Sequence, residues 1–169
     1  MLLGVALGAE RVVLAGRDRA ALEAVAGVAG SRAVPCPLGG DVAADAASLR
    51  ATAGGAGAHV ALDLVGNAAT ADSTLACLRS LRRGGRLVMM GSCKAPLPLN
   101  FREVLGNAWS VLGCFMYPAD APAQLAALVR AGLLDLGAVR VQGFPLQALD
   151  AAMDAAAAGR GLDAAVLLP

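Results

Sequence analysis

A short basic turn follows one of the apolar runs of the sequence. In "VVLAGRDRAAL", Val12 to Leu22, the apolar residues stop at Gly16, and Arg17, Asp18 and Arg19 precede a stretch of helical spacing. Glycine lets the backbone approach a ligand closely, and a guanidinium makes strong charge-assisted hydrogen bonds to phosphate oxygens. The turn could therefore bind a phosphate group. The alternative interpretation is a solvated basic turn in which Asp18 caps the helix that follows.

The thiols and the imidazole of the sequence show no metal-ligand spacing. The cysteines Cys36, Cys77, Cys93 and Cys114 form no CxxC pair, and His59 is the only histidine. Because a zinc ion needs converging ligands, we expect no metal site here. Reduced, inert thiols in a cytoplasmic protein are the simplest interpretation.

Composition excludes several classes of partner. The chain has 169 residues, a formal net charge of +1 and only 3% aromatic residues, so it has neither a basic face for a phosphate backbone nor rings for stacking bases. No apolar run reaches the roughly 18 to 20 residues that span a bilayer, and "MLLGVALGAE" lacks the basic flank of a signal peptide. We therefore expect no nucleic acid and no membrane partner. The apolar fraction of 57% predicts a folded domain.

The elements that must position these residues alternate along the chain. Short apolar runs bounded by glycine, proline or aspartate alternate with stretches of helical periodicity, which predicts an α/β fold with a parallel sheet. Pro35 and Pro37 place the second strand at a sheet edge. The predicted strands are Arg11 to Ala15, Ala33 to Pro37, His59 to Leu64, Arg86 to Gly91, Ser110 to Phe115, Val139 to Phe144 and Ala164 to Leu168.

Apolar stripes at helical spacing predict three helices that face the core. We expect glycines to end the helices, since glycine adopts the left-handed cap conformation without strain. These are Gly84 and Gly85 for the first, Gly132 for the second and Gly159 for the alanine-rich third. The stripes are Leu75, Leu78 and Leu81, then Leu125, Leu128 and Val129, then Leu146, Leu149 and Met153.

A doubly wound sheet gives the basic turn a specific meaning. In that fold the end of the second strand lies beside the adenosine ribose, where an acidic side chain accepts from a 2′-hydroxyl and an arginine pairs with a 2′-phosphate. With Arg17, and Arg19 nearby, the sequence favours NADP(H) over NAD(H).

Three downstream segments carry a family resemblance. In order, "GAGAHVALDLVGNAAT", "LRSLRRGGRLVMMGS" and "WSVLGCFMYP" resemble the cofactor domain of the medium-chain (zinc-type) alcohol dehydrogenases and their quinone oxidoreductase relatives. The most specific part is "LRRGGRLVMMG". The C-terminal region, "LAALVRAGLLDL" and "GFPLQALDAAMDAAAAG", is also similar to that family. The resemblance implies a Rossmann-type doubly wound parallel sheet.

The resemblance also implies which strand ends contact the cofactor. Open α/β sheets bind ligands outside the carboxyl ends of their strands. The alternative interpretation of the same positions is ordinary core and turn sequence. The implied cofactor-binding residues are Leu64, Val65 and Gly66 near the adenosine and nicotinamide, Met90, Gly91 and Ser92 at the nicotinamide end, and Leu112 and Gly113 from the next strand.

Two parts of the family pattern have no counterpart in the sequence. The family places a first strand and a GxGxxG turn before the helix that Met1 to Leu7 resembles, and "GGAG" at Gly54 to Gly57 precedes a strand instead. Near the last strand, Ala164 with Asp163 stands where many members have a lysine or arginine. We therefore expect residues 1–169 to form a partial NAD(P)-binding domain without the first strand and glycine loop. We expect the GroES-like catalytic domain, with any zinc, to be absent.

Two functions remain open on this sequence. The first is the cofactor-binding portion of an oxidoreductase that transfers hydride between NADP(H) and an alcohol, a carbonyl or a quinone, inactive as this chain alone. The second is a non-catalytic dimerising or interaction remnant of such an enzyme. For that role the alternating apolar segment Ala95 to Phe101 would supply a sheet edge and a homodimer contact.

Overall fold

The computed structural model describes all residues, Met1–Pro169, and contains seven strands and seven α-helices. The strands are β1 Val12–Gly16, β2 Ala33–Pro37, β3 Ala58–Asp63, β4 Leu81–Met89, β5 Ser110–Gly113, β6 Arg140–Pro145 and β7 Asp163–Leu168. The helices are α1 Leu2–Ala6, α2 Arg19–Ala29, α3 Val42–Thr52, α4 Asp72–Arg79, α5 Phe101–Asn107, α6 Ala121–Arg130 and α7 Leu149–Ala158. The predicted α/β class is confirmed. Each predicted strand forms, and its ends lie within two residues of the predicted ones, except that β4 begins at Leu81 and not at Arg86.

The strands pair in three groups. β3, β4 and β5 form a parallel sheet in that order, β6 pairs in parallel with β7, and β1 pairs with β2. β2 therefore lies at an edge, as its two prolines predict. β1 and β3 do not pair with each other, which is what the doubly wound order requires of strands that flank a central one.

The chain divides into two compact units. The first unit comprises Met1–Leu14, Asp18–Pro35 and Pro122–Pro169, and the second comprises Ala15–Arg17 and Cys36–Ala121. None of the helices is long and apolar enough to cross a membrane.

The core of the second unit forms between the three-stranded sheet and its helices. Leu78, Leu81 and Leu87 are fully buried, and Leu75 and Trp109 complete the cluster. The Trp109 indole N–H donates to the backbone carbonyl of Arg82 at 3.1 Å, so its polar atom is satisfied inside the core.

The double glycine before the buried part of β4 does not end a helix. That prediction is wrong, because α4 ends at Arg79 and β4 begins two residues later. The register between β3 and β4 shifts in this half of the strand. Gly84 has a φ of 72°, and a β-carbon on Gly85 would lie 2.9 Å from the Arg82 carbonyl oxygen. The two glycines therefore form an irregularity inside the strand, where a side chain would clash at Gly85 and would strain the backbone at Gly84.

Helices of the first unit begin and end largely as their sequence predicts. The Asp18 carboxylate accepts from the Ala21 amide at 3.0 Å and caps α2. Gly132, with a φ of 70°, follows the end of α6, and Gly159 caps α7, so these two predicted helix ends are confirmed.

Two of the predicted core stripes are wrong. Leu125 and Val129 of α6 are exposed, and so are Leu146, Leu149 and Met153 in and before α7. α7 buries Ala152 and contacts β6 and β7, which leaves its larger apolar side chains in solvent.

Candidate functional site

The implied cofactor-binding residues of the sheet meet at one edge of the second unit. β3, β4 and β5 are parallel neighbours, so their carboxyl ends lie along the same edge. The segment 64–66 follows β3, the segment 90–92 follows β4, and Leu112 and Gly113 end β5. The structure therefore brings together the strand-end residues that the resemblance singled out.

Backbone hydrogen bonds tie the first two of these segments together. The Ser92 amide donates to the Val65 carbonyl at 2.9 Å, and Gly66 and Ser92 form an isolated parallel bridge. The Ser92 hydroxyl oxygen accepts from the Asn67 amide at 2.9 Å. Ser92 thus holds the shape of this edge, whatever contact it makes with a ligand.

Asp63 anchors the same edge from inside. Its buried carboxylate accepts from the Val65 amide at 3.0 Å and from the Thr74 hydroxyl at 3.1 Å, while its carbonyl accepts from the amides of Met90 and Gly91. These four bonds connect the end of β3 with α4 and with the end of β4. Asp63 is therefore a structural acceptor and not a group free for chemistry.

The three glycines of the edge differ in what surrounds them. A β-carbon on Gly91 would lie 2.4 Å from the Val65 carbonyl oxygen, so packing within the chain explains this glycine. A β-carbon on Gly66 would come no closer than 3.9 Å to the Ser92 hydroxyl, and one on Gly113 would meet nothing within 4 Å. Space is left open above the last two positions.

Apolar side chains line the edge and face solvent. Leu64, Val65, Met90 and Leu112 are all exposed large hydrophobic residues. Their arrangement offers an apolar surface beside backbone groups, which suits an aromatic ring with a polar substituent.

The basic turn contains one cation without a partner. The Gly16 carbonyl accepts from the Leu38 amide at 2.8 Å, which holds the end of β1. Arg19 lies 3.7 Å from Glu23 across one turn of α2. Arg17 is exposed and makes no hydrogen bond or ion pair in the chain. Asp18 caps α2 as the alternative interpretation predicts, and that cap leaves the Arg17 guanidinium available for an anion.

The thiols and the imidazole form no metal-binding group. No set of three or more His, Cys, Asp or Glu side chains could hold a metal ion, and His59 is exposed on β3. Burial, with smaller contributions from Asp63, Cys36 and Asp45, raises the pKa of the Cys77 thiol to about 11. Cys77 is therefore protonated at neutral pH and is not a nucleophile.

Other predicted roles divide between the core and the surface. The sequence predicts a core or interface position for Trp109 and for Phe115. Trp109 is in the core, while Phe115 is 96% exposed, and an interface position for Phe115 stays a prediction. The segment from Ala95 to Asn100 forms no strand, Leu97 packs against the core cluster, and Phe101 begins α5. Dimerisation through this segment stays a prediction.

Sequence reasoning missed two polar interactions. The Asp45 carboxylate, buried at the start of α3, accepts from the amides of Gly39 and Gly40 at 2.8 and 2.9 Å. Arg160 pairs with Asp18 at 3.1 Å across 142 residues of sequence. The aspartate directly after the double glycine is Asp41, which caps α3 through the Ala44 amide, so nothing in the local sequence singled out Asp45, and nothing local could have indicated the second interaction.

With this geometry in place, the class of the protein follows from a family match. The chain matches the zinc-binding dehydrogenase family over residues 1–131. It belongs to that family, and the resemblance inferred from its motifs is confirmed. The class is that of the zinc-binding dehydrogenases, and the chain has a Rossmann-like α/β fold.

Solved structures share the fold over nearly the whole chain. The alcohol dehydrogenase TADH from Thermus sp. ATN1 is 20% identical with a TM-score of 0.78, and the alcohol dehydrogenase from Aeropyrum pernix is 24% identical with a TM-score of 0.74. A short chain alcohol dehydrogenase from E. coli CFT073, complexed with the cofactor NADH, is 17% identical with a TM-score of 0.74. Each match covers 99% of this chain and 46%, 45% and 48% of those chains, respectively.

The chain therefore spans about half the length of the solved structures it matches, and no curated protein matches it by sequence. Zinc, which the name of the family implies, does not fit the side chains of residues 1–169, because they contain no group able to hold a metal ion.

Proposed function

We propose that this chain is the cofactor-binding part of an alcohol dehydrogenase-like oxidoreductase, with residues 1–169 forming a partial NAD(P)-binding domain. A nicotinamide dinucleotide binds along the carboxyl edge of β3, β4 and β5 and reaches the turn at Gly16 and Arg17, which belong to the same unit. NADP(H) is preferred over NAD(H). The family match supports the binding of a nicotinamide dinucleotide, as does the NADH bound by the E. coli enzyme that shares the fold.

The observation that carries the cofactor preference is the unpaired Arg17 guanidinium directly after Gly16. A cation without a partner at the end of a strand can turn towards a phosphate without breaking a bond within the protein, although its side chain loses conformational freedom on binding. A carboxylate at the same position would repel a 2′-phosphate and accept from a 2′-hydroxyl.

The apolar edge has a different task in this proposal. Leu64, Met90 and Leu112 supply exposed apolar surface for the planar parts of the cofactor, and the open space at Gly66 and Gly113 lets the cofactor approach the strand ends. When bound, the cofactor supplies hydride exchange with an alcohol, a carbonyl or a quinone. Residues 1–169 bind and orient it, while residues outside this range position the substrate. The chain alone is therefore inactive as a dehydrogenase.

The test compares two adenosine nucleotides that need neither the glycine loop nor a substrate pocket. Adenosine 2′,5′-bisphosphate carries the phosphate that Arg17 is proposed to bind, and 5′-AMP lacks it. We expect the unsubstituted protein to bind the bisphosphate more tightly in calorimetric titrations. Arg17→Ala should weaken that binding by about 1.5 to 3 kcal/mol, the usual contribution of a bond to a charged group, and leave AMP binding unchanged.

Arg130→Ala is the matched control, because Arg130 is also exposed and has no partner but lies on α6. It should leave both affinities unchanged. The same variants titrated with NADPH and NADH should show the same pattern. Equal losses for both nucleotides in Arg17→Ala, or equal binding of both by the unsubstituted protein, would contradict the proposed preference.

A further inference from the structure

We propose that Arg160 is a specificity-determining residue for the 2′-phosphate, because it neutralises the Asp18 carboxylate beside the basic turn. This inference rests on the proposed NADP(H) preference. It adds a residue that lies 142 positions from the turn and that no strand-end pattern would indicate.

The two oxygens of the Asp18 carboxylate have separate partners. Oδ1 accepts from the Ala21 amide at 3.0 Å and caps α2, while Oδ2 accepts from Arg160 Nη1 at 3.1 Å. The cap fixes where the carboxylate lies, one residue after Arg17. The ion pair with Arg160 determines how strongly the negative charge of Asp18 acts on a ligand bound at the turn.

The charges of the turn balance without Arg160. Arg17 and Arg19 carry two positive charges, and Asp18 and Glu23 carry two negative charges, so the sum over these four is zero. Arg19 and Glu23 face each other at 3.7 Å. Exposed charges act on one another over roughly 8 to 10 Å in physiological salt. Arg160 makes the sum positive, which is the sign that a phosphate dianion requires.

The backbone around Arg160 is held in place. The Arg160 amide donates to Asp163 Oδ2 at 2.9 Å, and a β-carbon on Gly161, whose φ is 62°, would lie 3.1 Å from Val25 Cγ2 of α2. This loop therefore packs closely against the helix that Asp18 caps.

The neighbouring acid does not compete for Arg160. Asp163 Oδ1 accepts from Arg140 Nε at 2.5 Å, so that carboxylate already has a guanidinium partner. The guanidinium of Arg160 is left to Asp18.

The Arg160–Asp18 pair is a poor candidate for a purely structural role. The Arg160 and Asp18 side chains are 76% and 48% exposed, and exposed ion pairs contribute little to folding stability. Loss of Arg160 should therefore appear in the choice of ligand and not in the thermal transition.

The experiment is a double-mutant cycle read with adenosine 2′,5′-bisphosphate and 5′-AMP. Arg160→Ala should weaken binding of the bisphosphate about two- to fivefold, the range of exposed charge pairs, and leave AMP binding unchanged. Arg160→Lys should restore most of the loss, because it restores the charge. Asp18→Asn keeps an oxygen for the Ala21 amide and removes the charge, so adding Arg160→Ala to Asp18→Asn should have little further effect.

The outcomes separate this inference from the function on which it rests. If the unsubstituted protein prefers the bisphosphate and Arg17→Ala abolishes the preference, but Arg160→Ala retains it in full, the role of Arg160 is wrong and the proposed function stands. Equal loss of both nucleotides in Arg160→Ala, or an unchanged effect of Arg160→Ala in the Asp18→Asn background, also overturns it. Equal binding of both nucleotides by the unsubstituted protein overturns both proposals.

Discussion

Gly91 lies so close to Val65 that a β-carbon at position 91 would sit 2.4 Å from the Val65 carbonyl oxygen and 2.9 Å from the Val65 amide nitrogen. Both contacts are with backbone, which cannot rotate away as a side chain would. The chain segments that follow β3 and β4 can therefore approach each other only if position 91 has no side chain.

Gly91→Ala should destabilise the protein by roughly 1 to 3 kcal/mol, the usual cost of forcing extra atoms into a packed site. The measurement is the urea midpoint of unfolding. Gly106→Ala is the matched control, since Gly106 lies in α5 with nothing within 4 Å of an added β-carbon. Alanine is the better helix former, so this control should be neutral or stabilising by up to about 1 kcal/mol. A midpoint of Gly91→Ala equal to that of the control would contradict the expectation.

Gly113→Ala tests whether the cofactor occupies the open space at the same edge, because the substitution should affect ligand binding and not folding. The added methyl group meets nothing in the chain, so the unfolding midpoint should not fall. If the cofactor occupies that space, its affinity should drop about tenfold, which corresponds to about 1.4 kcal/mol. Fluorescence titration with NADPH measures this. Unchanged NADPH affinity in a stable Gly113→Ala protein would remove Gly113 from the proposed site.

Asp45→Ala should destabilise the second unit, because the buried carboxylate accepts two amide bonds from Gly39 and Gly40. Each bond to a charged group contributes about 1.5 to 3 kcal/mol. Asp45→Asn keeps one acceptor oxygen and should lose about half as much. Urea unfolding of the three proteins gives the order, and equal stability of the alanine and asparagine variants would show that the bonds do not carry the effect.

The Arg140–Asp163 pair predicts a pH dependence. The Arg140 hydrogen bond, followed by that from the Arg160 amide, lowers the pKa of the Asp163 carboxyl. Because the folded state favours the charged form, this contribution to stability is present above the ordinary carboxyl pKa and is lost as the pH falls through the lowered value.

Arg140→Gln should therefore be less stable than the unsubstituted protein at neutral pH, and the difference should close as the pH falls below the ordinary carboxyl pKa of about 3.9. Urea unfolding across that range measures it, with Arg130→Gln as the control. A difference that stays constant down to the lowest pH would show that Arg140 acts through packing alone. Carbon-13 titration of the Asp163 carboxyl should show its pKa rising in Arg140→Gln.

Local sequence was sufficient for the strands of this fold. Runs such as His59 to Leu64 are bounded by glycine or aspartate, and a short apolar run between such residues favours a strand. The same reasoning located the strand ends where β3, β4 and β5 meet. The α/β class and the candidate edge could thus be predicted without coordinates.

Burial and ion pairs could not be predicted in the same way. The Leu149 and Met153 stripe has the spacing of a core-facing helix, yet α7 contacts its sheet through Ala152, and this depends on which elements are present to cover a face. Gly84 and Gly85 resemble a helix end because glycine suits both a cap and a strand irregularity. The pairing of Asp18 with Arg160 depends on tertiary structure, which a short stretch of sequence does not predict.

The buried side chain of Cys36 gives the protein an internal reporter of its own fluctuations. A buried thiol reacts with a disulfide reagent only after its surroundings open. Cys114 lies in the same unit but is exposed and can react at once. The rate of labelling at Cys36 relative to Cys114 therefore reads the free energy of local opening in the second unit, with no probe introduced into the chain.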